Sequence, residues 1–189
     1  MSADTTRAFL AAFPPPEVVA AVARAVDALR RPGDGVGWVR PENVHYTLRF
    51  LGDLDGAGLA AAEKAASRAV KGRAPFRVKL GGPGMFPNDR RPRVLWLGAV
   101  AGAVELTGLA SALEAALAAE GLGAADKPFA PHLTLGRVRD AGDHAIPSRF
   151  MAGEFPAESF DVREIVLVKS TLDPRGARYE VLKRFALKD

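Results

Sequence analysis

The sequence predicts an α+β fold made of two closely packed lobes, and three observations carry that reading. Strand-like runs alternate with Ala- and Leu-rich helical runs along the chain, an order expected of mixed layers around one core. The frame His45-Tyr46-Thr47-Leu48 returns as His132-Leu133-Thr134-Leu135, which is consistent with a duplicated α+β unit although the flanking sequences do not visibly repeat. No low-complexity linker separates the two frames, so residues 1–189 read as a single bilobal domain with enough chain for a sizeable core.

Residues 6–13 form a first strand, stopped by Pro14-Pro15-Pro16. Over residues 17–30 apolar side chains recur at helical spacing, and Pro32-Gly33 ends the element. Trp38-Val39 precede a turn at Pro41-Glu42-Asn43, and residues 44–51 make the strand with the first frame, closed by Gly52-Asp53. Residues 59–70 are an Ala-rich helix. Strands at 76–80 and 94–100 are joined by a turn at Gly81-Gly82-Pro83-Gly84-Met85-Phe86-Pro87. A second long helix over 104–120 aligns Leu106, Leu109, Leu113 and Leu117 on one face, and Gly121 ends it. Pro128-Phe129-Ala130-Pro131 leads into the strand with the second frame, which ends near Arg139. A short helical or irregular stretch follows, then strands near 155–160, 162–169 and 179–187. The last two suit a hairpin around Asp173-Pro174-Arg175-Gly176.

On a strand, side chains at i and i+2 share a face. His45 therefore lies beside Thr47 and His132 beside Thr134, while Tyr46, Leu48, Leu133 and Leu135 turn towards a core. Two imidazoles facing one space are what a reaction needs when one proton is removed and another delivered near neutral pH. The third histidine, His144, sits in the polar stretch Arg139-Asp140-Ala141-Gly142-Asp143 and reads as a solvated loop residue without a role. On the first strand Arg7, Phe9, Ala11 and Phe13 share a face. Phe9 there is a core residue or, if its face borders the cleft, a platform for a base.

A hydrophobic content of 48% with 25% charged residues is ordinary for a soluble protein. No apolar run approaches the roughly 20 residues of a membrane span, and the first residues lack a basic region followed by an apolar stretch. With no cysteine, disulfides and thiolate metal sites are excluded, in keeping with a cytoplasmic location. The net charge of +4 and pI near 9.7 favour an anionic ligand, a property shared by many proteins that bind none. Asn88-Asp89-Arg90-Arg91-Pro92-Arg93 crowds three arginines into one loop, either solvated or touching RNA phosphates.

The paired His-x-Thr-x frames resemble those of the 2H phosphoesterase superfamily. Within it the chain is similar to the RNA 2′,3′-cyclic phosphodiesterases, long known as 2′-5′ RNA ligases. The similarity runs through Arg7 to Pro14, Trp38 to Gly52, Gly84 to Pro87, Arg93 to Gly98, Phe129 to Arg137, and Lys169 to Leu172 with Tyr179. It implies two α+β lobes whose antiparallel sheets flank a central cleft, with His45 and His132 facing each other across it. It further implies that Arg137 binds the phosphate. An i to i+5 offset reverses the face of an ideal strand, so Arg137 reaches the cleft only if the strand bends or bulges at Gly136. Ser170 and Tyr179 line the cleft on the same resemblance.

The activity so implied is hydrolysis of RNA or nucleoside 2′,3′-cyclic phosphates to 2′-phosphomonoesters, with His45 as acid and His132 as base. Thr47 and Thr134 would bond the non-bridging oxygens and Arg137 would offset their charge. No cofactor, metal or membrane partner is expected, and the chain is expected to act as a monomer on RNA or nucleotides ending in a cyclic phosphate. His-x-Thr is not a zinc or iron ligand spacing, and Gly81-Gly82-Pro83-Gly84 lacks the Lys-Ser/Thr ending of a phosphate loop. The alternatives within the superfamily are RNA joining through a 2′-5′ bond, cleavage of ADP-ribose cyclic phosphate and cleavage of 2′-5′ oligoadenylates. From another class, a non-catalytic RNA-binding module would suit the fold and charge but has no use for two imidazole–hydroxyl pairs.

Overall fold

The computed structural model describes residues 5–139, 145–173 and 176–189. Its strands are β1 (Thr6–Ala12), β2 (Val36–Trp38), β3 (Tyr46–Leu54), β4 (Phe76–Phe86), β5 (Val94–Ala101), β6 (Leu133–Val138), β7 (Ser159–Val162), β8 (Glu164–Thr171) and β9 (Arg178–Ala186). The helices are α1 (Pro16–Leu29), α2 (Gly56–Val70), α3 (Ala103–Ala119) and α4 (Ile146–Met151). No helix among the described residues is long and apolar enough to cross a membrane.

Local chemistry explains the helices. Pro16 opens α1, where the lost N–H had no partner to lose, and Val18, Val22 and Val26 turn one stripe inward. Asp55 caps α2 by accepting from the Gly58 N–H at 2.8 Å. The inner face of α2 is Ala62, Ala65, Ala66 and Ala69, small enough for close packing against α3. In α3 the stripe Leu106, Leu109, Leu113 and Leu117 is at most 1% exposed, as its spacing predicts.

The strands run in the order β7-β4-β5-β6-β3-β1-β8-β9, with β2 paired to β6. Neighbouring strands are antiparallel throughout. Two half-sheets are thus joined at β3 and β6, which pair only at Tyr46 and Leu133. The lobes are not the two halves of the sequence: β8 and β9 complete the lobe of β1 and β3, and β2 attaches to the opposite lobe.

Three predicted boundaries differ from the structure. The segment read as a turn, from Gly81 to Phe86, is the second part of β4. A bulge between Leu80 and Pro83 carries the strand past its glycines. Only residues 76–79 pair with β7, so Pro83 lies where β4 has a free edge and its missing N–H leaves no partner unsatisfied. Likewise β3 continues through Gly52, whose positive φ of 74° accommodates an irregular register with β1. The strand near 155–160 is confined to Ser159–Val162. The closing hairpin of β8 and β9 forms as its turn chemistry predicts.

Gly84 is required by packing. The Trp96 indole lies across it so closely that a Cβ at position 84 would sit 2.3 Å from the ring. Gly84→Ala should therefore push the indole aside and cost about 1–3 kcal/mol through overpacking. Urea unfolding followed by tryptophan emission checks this: an unchanged midpoint together with unchanged native emission would show that the ring has room.

Candidate active site

Both frame histidines stand at the entry of their strands, His45 immediately before β3 and His132 immediately before β6. Each ring is held by the backbone carbonyl two residues earlier. His45 Nδ1 lies 2.7 Å from the Asn43 oxygen, and His132 Nδ1 lies 2.7 Å from the Ala130 oxygen. A carbonyl only accepts, so each Nδ1 carries a hydrogen and each neutral ring presents its Nε2 lone pair. The Thr47 hydroxyl is 2.8 Å from His45 Nε2 and donates to it while the ring is neutral. Among the described residues Thr134 has no such bond to His132. Asn43 is itself fixed, its side-chain amide donating to the Ala177 oxygen at 2.7 Å.

The single Tyr46–Leu133 pair organises these groups. Continuing its antiparallel register sets position 45 against 134 and 47 against 132, so each imidazole stands across from the other frame's threonine. Tyr46 and Leu133 are fully buried, and Leu48 and Leu135 nearly so. The polar members of both frames consequently share the opposite, cleft-side face.

Aromatic rings wall each imidazole. His45 is stacked between Phe9 and Phe13, with centroids at 4.8 and 5.1 Å, and meets the edge of Tyr179 at 5.4 Å. Phe86 stands edge-on to His132 at 5.1 Å, with Trp96 at 6.2 Å. Phe9 is only 3% exposed and belongs to a small buried cluster with Ala11, Val166 and Val168. The idea of Phe9 as a base platform is thereby overturned, because its ring is already covered by His45.

Arg137 reaches the cleft through a bulge. Trp96 pairs with Thr134 and Leu95 with Gly136, leaving Leu135 as the extra residue of β6. The inserted residue restores Arg137 to the face of His132 and Thr134. Gly136 is needed beside it, since a Cβ there would lie 2.7 Å from Val36 Cγ1. The Arg137 charge is felt by His45, His132 and Tyr179 alike.

Burial dominates the electrostatics. It lowers the His45 pKa from 6.5 to about 4 against the raising effect of the Asn43 bond, and the charges of His132 and Arg137 add to the decrease. His132 is also lowered, by burial first and then by Arg137, opposed by its bond to Ala130. Burial raises the Tyr179 phenol, with Arg137 and Arg7 pulling the other way. Ser170 pairs with Tyr179 in the β8–β9 ladder and so shares its face. His144 lies outside the described residues. Among those described, no group of three or more His, Cys, Asp or Glu side chains is arranged to hold a metal.

A groove of about 1040 Å³ leaves this centre past Thr47 and His132, running between β3, α3 and the 124–130 segment. Phe50, 44% exposed, lines it beneath the Arg7 guanidinium at 4.6 Å.

The sequence profile of the 2′-5′ RNA ligase superfamily matches residues 14–174. The chain belongs to this superfamily. Among its relatives, an RNA 2′,3′-cyclic phosphodiesterase of Thermus thermophilus is 39% identical over 186 residues, covering 96% of this chain and 90% of the relative. One from Aquifex aeolicus is 37% identical over 154 residues, 79% of this chain and 81% of the relative. Solved structures agree. Escherichia coli LigT complexed with 3′-AMP superposes with a TM-score of 0.83 at 27% identity, covering 98% of this chain and all (100%) of that one. A Thermus thermophilus crystal structure gives a TM-score of 0.81 at 34% identity, covering 96% and 97%. Two features of this superfamily member escape sequence reading: the carbonyl anchors at Asn43 and Ala130, and the roles of Phe13, Phe86 and Trp96 as ring walls. Strand alternation groups Phe86 with Gly84 and Trp96 with Val94, but does not show which ring meets His132.

The lowered histidines tie stability to pH. His45 has a folded pKa of about 4 against an ordinary 6.5, so the unfolded chain binds the proton first on acidification. The stability this residue contributes is complete above pH 6.5 and is lost as pH falls through 4. His132 acts in the same direction. The urea midpoint should drop between pH 7 and pH 5, and drop less in the His45→Gln/His132→Gln double variant; equal drops would place the acid sensitivity elsewhere.

Proposed function

We propose that this chain hydrolyses 2′,3′-cyclic phosphates at RNA ends and on nucleosides to 2′-phosphomonoesters, by two-histidine acid–base catalysis that needs no metal. The observation that carries the reading is the pair of Nδ1-anchored imidazoles on one cleft face, with Arg137 beside both. The names of the relatives agree with the substrate.

In this scheme the cyclic phosphate sits at Arg137, whose fixed charge offsets that of the non-bridging oxygens. Water enters opposite the 3′ oxygen. His132 Nε2 accepts the water proton as the new P–O bond forms, the P–O3′ bond breaks, and a protonated His45 Nε2 delivers its hydrogen to the departing 3′ oxygen. Thr134 and Thr47 donate to the phosphoryl oxygens, and Thr47 changes partner when His45 becomes charged. The assignment of His45 as acid requires that ring to gain a proton when substrate binds. The free protein holds it low, at about 4, and an anionic phosphate beside it favours the imidazolium.

Several outcomes follow from these roles. A panel of 2′,3′-cyclic nucleotides, ADP-ribose cyclic phosphate and 2′-5′ oligoadenylate assayed in EDTA, with products resolved, should show turnover of the cyclic nucleotides to the 2′ isomer. Loss of all turnover in EDTA and recovery with Mn²⁺ or Zn²⁺ would sink the metal-free scheme, and the 3′ isomer would reverse the leaving group.

His45→Ala and His132→Ala should each lower kcat by about 10²–10⁴, and the double variant by less than the product because the two act as a unit. Arg137→Ala should depress kcat/KM strongly, and Arg137→Lys should restore only part, since an ammonium lacks the planar two-donor fork. The kcat profile should peak at higher pH than that of kcat/KM, because bound phosphate raises both imidazoles. Coincident profiles would mean that the phosphate does not sit between them.

A further inference from the structure

We infer that the RNA chain attached to the reacting nucleoside leaves the cleft over an arginine ridge at the β4–β5 hairpin, not along the groove beside α3. This rests on the cyclic-phosphate reading above and names the path of the polymer.

The ridge grows out of the phosphate site. Arg137 of β6 pairs with Gly37 of β2 and with Val94 of β5, so these three residues share the cleft face. Gly37 has no side chain, and the Arg139 guanidinium takes the space: a Cβ at Gly37 would lie 2.8 Å from Arg139 Nε. Arg139 is thus laid beside Arg137 on that face. The neighbouring hairpin leaves the wall of His132 at Phe86 and is closed by the Arg93 N–H donating to the Phe86 oxygen at 2.7 Å. At its tip the Asn88 side chain accepts from the Arg90 and Arg91 N–H groups, each at 3.1 Å. That turn presents two exposed arginines. Asp89 is the one carboxylate of the tip, and none of Arg90, Arg91, Arg137 or Arg139 has an ion-pair partner among the described residues.

The other exit is electrostatically different. Along the groove, Arg49 is paired with Glu114 at 2.9 Å, and the remaining charged lining residues, Lys127 and Asp126, are of opposite sign. Apart from Arg7 over Phe50, the groove is charge-balanced and offers less than the four arginines of the ridge to a phosphodiester backbone, whose affinity comes from releasing counterions to unpaired cations. A polymer joined to a nucleoside at Arg137 therefore gains by turning towards Arg139 and the hairpin tip. Single-stranded RNA is the partner because it is covalently continuous with the substrate already placed there.

The test compares the Arg90→Ala/Arg91→Ala variant with Arg24→Ala/Lys71→Ala, which removes the same charge from α1 and the end of α2. Binding of a fluorescein-labelled single-stranded oligoribonucleotide with a 3′-terminal phosphate is followed by anisotropy over a salt series, and turnover of a 2′,3′-cyclic mononucleotide is measured in parallel. The hairpin variant should lose affinity and flatten its log–log salt slope by about 0.7 for each phosphate contact removed. Its mononucleotide kcat/KM should stay within about twofold, and the remote variant should keep the wild-type slope. A wild-type slope in the hairpin variant, or equal flattening in both, overturns the ridge. Failure of the wild-type protein to turn over any cyclic phosphate would instead overturn the catalytic reading, while anisotropy still decides the path of the RNA.

Discussion

Two backbones touch at one position in the middle of this sheet, and the cleft is organised around that touch. Tyr46 and Leu133 pair and both side chains are fully buried. Burial fixes their direction, and strand alternation then fixes the direction of the residues on either side. A slip of one residue at this pair would turn one of the two histidine–threonine frames into the core while the other stayed on the cleft side. The cost of burying that frame's two polar side chains, together with exposing its apolar ones, is what forbids the slip. Because β3 and β6 diverge on either side of this contact, space opens between the frames for a ligand without a cavity having to be cut into a packed interior.

The two imidazoles are close relatives in geometry and unequal in surroundings. Both donate Nδ1–H to a carbonyl two residues back, which leaves Nε2 as the lone-pair nitrogen of each neutral ring. His45, however, is stacked between Phe9 and Phe13, whereas His132 meets Phe86 and Trp96 at steep angles. Stacking removes water from both faces of a ring, and burial is the first cause that holds the His45 pKa at about 4. Asymmetry between near-identical motifs is therefore supplied by neighbours contributed by other strands, not by the motifs.

Much of this was legible in the chain. The helical stripes of α1 and α3 carry their period openly, and the two frames announce which side chains share a face. The need for a distortion at Gly136 also follows from counting residues between His132 and Arg137, and the structure meets it one residue earlier, at Leu135. What was hidden depends on partners distant in sequence. Gly81 to Phe86 looks like a turn because glycine and proline interrupt it, yet pairing with β5 holds it extended. Phe9 reveals its face by alternation, but only the folded sheet shows that His45 covers it. The extension of β3 past Gly52 is invisible for the same reason, since it needs β1 alongside.

The strand order has a bearing on how the molecule comes into being. β1 lies between β3 and β8, so one of its edges has no neighbour until β8 has been synthesised. On a ribosome the early strands emerge with an open hydrogen-bonding edge and with Phe9, Ala11 and their apolar face uncovered, a state prone to pairing with other chains. The centre cannot assemble piecemeal, because the rings flanking His45 include Tyr179 from β9. Nascent chains released before that point would carry both frames intact and still lack one of the rings that enclose His45.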